Sequence, residues 1–198
     1  DPSLGLAAGF LYQLRGERPD DASVRALDAY FIVGAEHGFN ASTFTARVIV
    51  STHSDIASAV VGAIGALKGP WHGGAPSEVV DQLHEMGTVD QAEAWIRSTL
   101  ERGERLMGFG HRVYRAEDPR ARVLRRTARE LDAPRYEVAE ELEKAALAEL
   151  RERRPDRVLE TNVEFWAAIV LDFAEVPPPM FTSMFTCART GGWSAHIL

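Results

Sequence analysis

The residues most able to do chemistry in this chain are histidines held beside glycines, with an arginine and an acid close to helix starts. The stretch Leu106-Met107-Gly108-Phe109-Gly110-His111-Arg112-Val113-Tyr114-Arg115-Ala116-Glu117-Asp118-Pro119-Arg120 is the richest. Gly108 and Gly110 flank Phe109, so the backbone there can turn at positive φ or approach a ligand closely. Asp118 is a good N-cap, and Pro119 fits the first helical position, where a missing N–H costs nothing. Arg120 then falls in a first helical turn, where free N–H groups already favour an anion. A proton donor and a fixed cation therefore lie nine positions apart, 111 to 120. That pairing suits a small substrate with a carbonyl and a carboxylate, although a loop histidine and a surface arginine would satisfy the local pattern too.

Two further histidines sit at glycine turns, His37 before Gly38 and His72 before Gly73. Such loops beside helix ends are where binding groups concentrate. His53, His84 and His196 fall within helical patterns and read as packing or surface residues. A metal site is the rival explanation for a histidine set. No two of these have zinc-ligand spacing and there is no CxxC partner, so no metal is expected. The single cysteine, Cys187, excludes an internal disulfide, agrees with a reducing compartment, and lies in an apolar helical run that suits a nucleophile poorly.

The elements that must carry these groups read almost entirely as helix. Leu6, Phe10, Leu11 and Leu14 share a face that Gly16 stops, and Asp20 or Asp21 caps a second helix running to Gly38. Further helices are expected at about 41–51, 55–68 and 76–87. The 55–68 segment is rich in small residues and suits a close helix–helix contact in a core or a dimer. Thr88-Val89-Asp90-Gln91 has capping-box spacing, and helices follow on Leu124 to Leu131 and Val138 to Leu150. Asn162 caps another, with Glu164 in its first turn, and Pro177-Pro178-Pro179 precedes a last helix from about 180. No alternating run is long enough for a major strand, so the class is all-α.

The 198 residues can bury a real core, and 45% apolar with 26% charged residues is ordinary for a globular chain. A net charge of -7 without a basic run argues against a nucleic-acid partner. No apolar run reaches membrane-spanning length and no signal peptide is visible, so a cytoplasmic, membrane-free protein is expected. The first residue is not methionine, and the chain ends inside a helical pattern, so a fragment of a longer protein is expected.

Four ordered motifs then carry a resemblance. They are His37-Gly38-Phe39-Asn40-Ala41-Ser42, Leu67-Lys68-Gly69-Pro70-Trp71-His72-Gly73-Gly74-Ala75, Gly108 to Tyr114 with Asp118-Pro119-Arg120, and Asn162-Val163-Glu164-Phe165. In this order the chain resembles citrate synthases over its whole length, with the bacterial citrate or 2-methylcitrate type most similar. The resemblance implies an all-α homodimer with a large domain, here 1–73 and 173–198, and a small domain, 74–172. It implies an acyltransferase that condenses acetyl-CoA with oxaloacetate and water to give citrate and CoA. No cofactor would be bound permanently, with acetyl-CoA and CoA as substrate and product. The alternatives are a 2-methylcitrate synthase using propionyl-CoA, and a non-catalytic paralogue that binds CoA or carboxylates.

By the same resemblance, His72 stabilises the enol of acetyl-CoA, His111 polarises and protonates the oxaloacetate carbonyl, and Glu164 is the base. His37, Arg120 and Arg189 would hold carboxylates. Met107, Gly108, Phe109, Gly110 and Arg115 would face the coenzyme, with Arg157 as a further basic residue in reach. Enol formation needs a base at the methyl group and a donor at the carbonyl oxygen together. A helix N-terminus would keep His72 neutral and, at Glu164, favour the carboxylate. Arginines suit bidentate carboxylate recognition. One departure stands out: the family's motif is Asn-Val-Asp, and here Glu164 extends the acid by one methylene. A displacement of about 1 Å in a reacting group can cost on the order of 100-fold in rate. The family's further C-terminal arginine, contributed across the dimer, has no counterpart in these residues.

Overall fold

In the computed structural model, the described residues are 3–69, 72–73, 75–111, 114 and 116–198. Among them the chain forms ten α-helices and no strand. The helices are α1 (Leu6–Arg15), α2 (Asp21–Gly34), α3 (Ala41–Val50), α4 (Ile56–Leu67), α5 (Ala75–Met86), α6 (Ala92–Glu101), α7 (Pro119–Glu130), α8 (Tyr136–Arg153), α9 (Val163–Phe173) and α10 (Phe181–Ile197). Capping explains five of the starts. Asp20, Asn40, Asp55, Asp118 and Asn162 each accept a backbone N–H of the first turn of the helix that follows.

Two expectations are corrected. The second helix stops at Gly34, short of Gly38. The chain beyond it is taken up by one tertiary and one local bond: Ala35 O accepts from Gly192 N of α10 at 3.1 Å, and Glu36 Oε1 accepts from Gly38 N. The capping box at 88–91 does not form either. A 3₁₀ turn, Val89–Gln91, replaces it, with Gln91 N bonded to Thr88 O, and α6 starts without a side-chain cap.

α9 is the axis of the larger core. Phe165 to Leu171 are seven consecutive buried residues, so this helix is apolar all round and covered by α2, α5 and α7. Each of its large side chains contributes about 1.5–3 kcal/mol by leaving water. A second, smaller cluster joins α3, α4 and α10 through Ala46, Ala59, Ala63, Leu67 and Trp193. Here the small residues of α4 let neighbouring helices approach closely, as the 55–68 composition predicts. α2 packs on α7, α9 and α10, α10 packs on α3 and α4, and residues of α2, α7, α9 and α10 line one recess. No helix among the described residues is long and apolar enough to cross a membrane.

Candidate active site

The loop before α7 is tied to the start of α9. Phe109 and Thr161 form an isolated antiparallel bridge, flanked by Gly110 N to Glu160 O at 2.7 Å and Asn162 N to Gly108 O at 2.9 Å. Gly108 and Gly110 adopt φ of +87° and +82°, the positive values that the motif predicts. A Cβ on Gly108 would also lie 2.8 Å from Phe165 Cβ. Asn162 caps α9 by accepting Glu164 N at 2.9 Å, while its Nδ2 donates to Gly110 O at 2.9 Å. One asparagine thus fixes both the glycine loop and the backbone of Glu164.

Asp118 does more than the cap its sequence position predicts. It is fully buried and accepts Arg120 N and Arg120 Nε on Oδ1, and Arg120 Nη2 and Val163 N on Oδ2. The Arg120–Asp118 ion pair closes at 2.7 Å. Burial works against its ionisation, yet the Arg120 guanidinium and these backbone N–H groups hold its carboxyl below the usual range. It therefore joins the α7 cation to the α9 helix start.

His111, Arg120, His37 and Tyr114 come together. Arg120 Nη2 stands 3.5 Å from His111 Nε2, and His37 Nε2 lies 3.0 Å from the Tyr114 hydroxyl. The His37 and His111 rings meet edge-on at 5.2 Å, and Tyr114 packs 4.8 Å from His111. Tyr114 N donates to His111 Nδ1 at 3.2 Å. A backbone N–H can only donate, so Nδ1 is the acceptor in that bond, while Arg120 Nη2, likewise a donor only, faces Nε2. Burial, followed by the Arg120 charge, lowers the His111 pKa. The same two causes, with His111 and Arg189, bring His37 to about 4. Both rings are neutral near pH 7.

His72 is reached through α10. Its Nε2 lies 2.9 Å from Ser42 Oγ, which also accepts from Trp193 Nε1 and lies 2.8 Å from Asn40 Oδ1. The Ser42 proton has two acceptors in range, and whichever takes it decides which nitrogen of His72 carries hydrogen. Burial first, and then the Arg189 charge, lower the His72 pKa. The ring is neutral, as expected, but through burial and a neighbouring cation.

Arg189 is 1% exposed. Its Nε donates to Gly34 O at 2.8 Å, and its guanidinium stands over Phe185 at 4.8 Å. Among the described residues no carboxylate lies within ion-pair distance of it. Burial and the Arg120 charge bring its pKa down to about 10. It remains charged at pH 7, as an unmatched buried cation.

Glu164 corrects the expectation of an acid ionised by the helix field. Burial outweighs the field and the Arg120 attraction, and its pKa rises to about 7. It shares a narrow recess with Tyr30, Val33, Gly34, Arg120 and Phe185, with about 10 Å³ of room, enough for roughly one water. The Phe185 ring lies 5.9 Å from that of His72. His72, Phe185, Glu164, Arg120, His111 and His37 therefore form one contiguous lining.

The remaining predicted positions divide. Met107, Gly108, Phe109 and Gly110 line the pinned loop, while Arg115 lies outside the described residues. Arg157 is exposed beyond α8, and no described residue bonds its guanidinium. His53 and His84 are surface residues, with His53 in the turn after α3. Among the described residues no three His, Cys, Asp or Glu side chains group as a metal site. The contributions of Tyr114 and Ser42, and the second half of the Asp118 role, are not read from the sequence. The Asp-Pro-Arg order is the one local signal, since it puts an acid within reach of its own arginine.

All 198 residues match the family described as "Citrate synthase, C-terminal domain". The chain is 62% identical over 198 residues to "Putative citrate synthase 2" of Mycobacterium tuberculosis, covering 100% of this chain and 53% of that protein. It is 44% identical over 199 residues to Citrate synthase 2 of Bacillus subtilis, covering 98% and 52%. A solved ternary complex of Thermoplasma acidophilum citrate synthase with carboxymethyl coenzyme A and oxaloacetate superposes with a TM-score of 0.89. That pair is 32% identical, covering 100% of this chain and 53% of the other. The chain spans about half the length of the relatives it matches.

Proposed function

The chain belongs to the citrate synthase family, and from that premise we propose that the protein condenses acetyl-CoA with oxaloacetate and water to give citrate and CoA. The observation that carries this reading is the charge pattern of the cleft. Arg189 is buried without a carboxylate, Arg120 stands beside His111, and three neutral histidines surround them. A site with that surplus of positive charge fits a small dicarboxylate carrying a carbonyl group.

In this reading the ionised Glu164 takes a proton from the acetyl methyl group, and a neutral His72 N–H bonds the thioester oxygen as the enol forms. The enol carbon attacks the ketone carbon of oxaloacetate. His111 delivers a proton from Nε2 to the forming alkoxide. Arg120, Arg189 and His37 hold the carboxylates, and water then cleaves the citryl thioester to release CoA. The pinned 107–110 loop, one backbone bridge away from the start of α9, would place the coenzyme beside Glu164. Exposed Phe44 and Val48 on α3 and Ile56 and Val61 on α4 supply apolar surface for the homodimer this reading includes.

A thiol-release assay on the whole protein with oxaloacetate and acetyl-CoA tests it. CoA release that needs both substrates is expected, and propionyl-CoA in the same assay separates the 2-methylcitrate reaction. Binding of both substrates with no release of CoA would leave a non-catalytic paralogue.

A further inference from the structure

The geometry points to Tyr30 as a positioning residue for Glu164: its hydroxyl donates to the Glu164 carboxylate when that side chain turns within their shared recess. This inference rests on the proposed condensation only for the meaning of its effect on rate. Tyr30 lies on α2 and is 3% exposed, yet no described residue hydrogen bonds its hydroxyl. The hydroxyl is not among the wholly enclosed unpartnered side-chain atoms, so it keeps contact with solvent-sized space. Glu164 is in the same condition. Its backbone N–H bonds Asn162, but no described residue bonds its carboxyl. These two residues line the same recess, which has room for about one water and is also walled by Arg120 and by Val33, Gly34, Val163, Ala167 and Phe185.

The pairing also suits the glutamate. A longer acid has one more rotatable bond than aspartate, and so needs something to hold its carboxyl at one place. Burial pushes the Tyr30 phenol well above its ordinary pKa, so it stays a proton donor across the working range. The other charged groups that act on Glu164 are Arg120 and Asp118 at the start of α7, Glu78 on α5 and Arg105 in the loop after α6. Arg120 is already engaged by Asp118. Tyr30 is thus the uncommitted neutral donor in the recess.

The test is Tyr30→Phe in the whole protein, alone and combined with Glu164→Asp. Alone, it should lower kcat about tenfold, leave the oxaloacetate KM within about twofold, and move the acid limb of the kcat–pH profile up by about one unit. In the Glu164→Asp background the same change should cost less than about twofold, because the shorter acid does not reach the phenol. An equal loss in both backgrounds, an unmoved limb, or an effect confined to the oxaloacetate KM overturns the assignment. If the unaltered protein releases no CoA, the condensation reading fails on its own. Tyr30 is then judged by ¹³C NMR titration of the Glu164 carboxyl, assigned with Glu164→Gln. A midpoint raised by Tyr30→Phe sustains the pairing, and an unchanged midpoint ends it.

Discussion

Arg120 and Arg189 bring the same guanidinium to one cleft from two different helices, and their surroundings are opposite. Arg120 opens α7 and is gripped by a buried carboxylate through Nε and Nη2. Arg189, on α10, has a carbonyl, a phenyl face and no carboxylate among the described residues. The first arginine has its charge matched and its direction set by the fold. The second keeps an unmatched charge at a cost to stability, which a bound anion would offset. A site made only of the first kind would be rigid and nearly neutral, and one made only of the second would be costly to fold. The asymmetry divides orientation from attraction.

The largest expected effect comes from removing the unmatched charge. Arg189→Met in the whole protein should weaken oxaloacetate binding about 1000-fold, some 4 kcal/mol. The ligand-free melting temperature should hold or rise, since an uncompensated buried ion is replaced by a side chain of similar volume. Calorimetric binding and thermal melts measure both, and a fall of several degrees without ligand would make Arg189 a structural cation instead. Next is Asp118→Asn, which leaves Arg120 without its counter-ion and weakens the hold on Val163 N. It should destabilise the protein by about 3 kcal/mol in denaturant titrations, the reverse of the Arg189 result. An unchanged midpoint would remove the contrast between the two arginines.

The smallest effect concerns the acid that feels Arg120. Glu164 titrates at about 7 in the folded protein, above its ordinary 4.5. The folded state therefore holds an extra proton between those values, and this group lowers stability as pH rises from 4.5 to 7. His37 acts in the opposite direction. Its folded value of about 4 lies below 6.5, so it lowers stability as pH falls through that window. Glu164→Gln should raise stability at pH 8 by on the order of 2 kcal/mol and leave it nearly unchanged at pH 4. Denaturant midpoints at the two pH values check this, and an equal change at both would mean that burial does not govern Glu164.

The chain's helices were legible because their signals are local. Asp20, Asp118 and Asn162 are caps whose effect lies within three residues, and the glycines around Phe109 take positive φ. The capping box at Thr88 misled because Val89–Gln91 closes as a tighter turn, which the same four residue types permit. The overlong second helix misled because its end is decided by α10, about 157 positions later, through Gly192 and Ala35. Glu164 misled for the same kind of reason. Its place in the first turn of α9 is local, and the burial that outweighs that position comes from residues of α2, α7 and α10.

Residue order alone determined the all-α class, the caps, and the histidine, arginine and acid types that the cleft contains. The tertiary structure decided which of them share a surface and what charge each carries there. That two-part division follows from range. Caps and turns are set by backbone geometry over a few residues, whereas burial and Coulomb interactions depend on distances between helices that are far apart in the chain. Tyr30 is the clearest case: as a letter it is one more aromatic on α2, and only the packed helices bring it into one recess with Glu164.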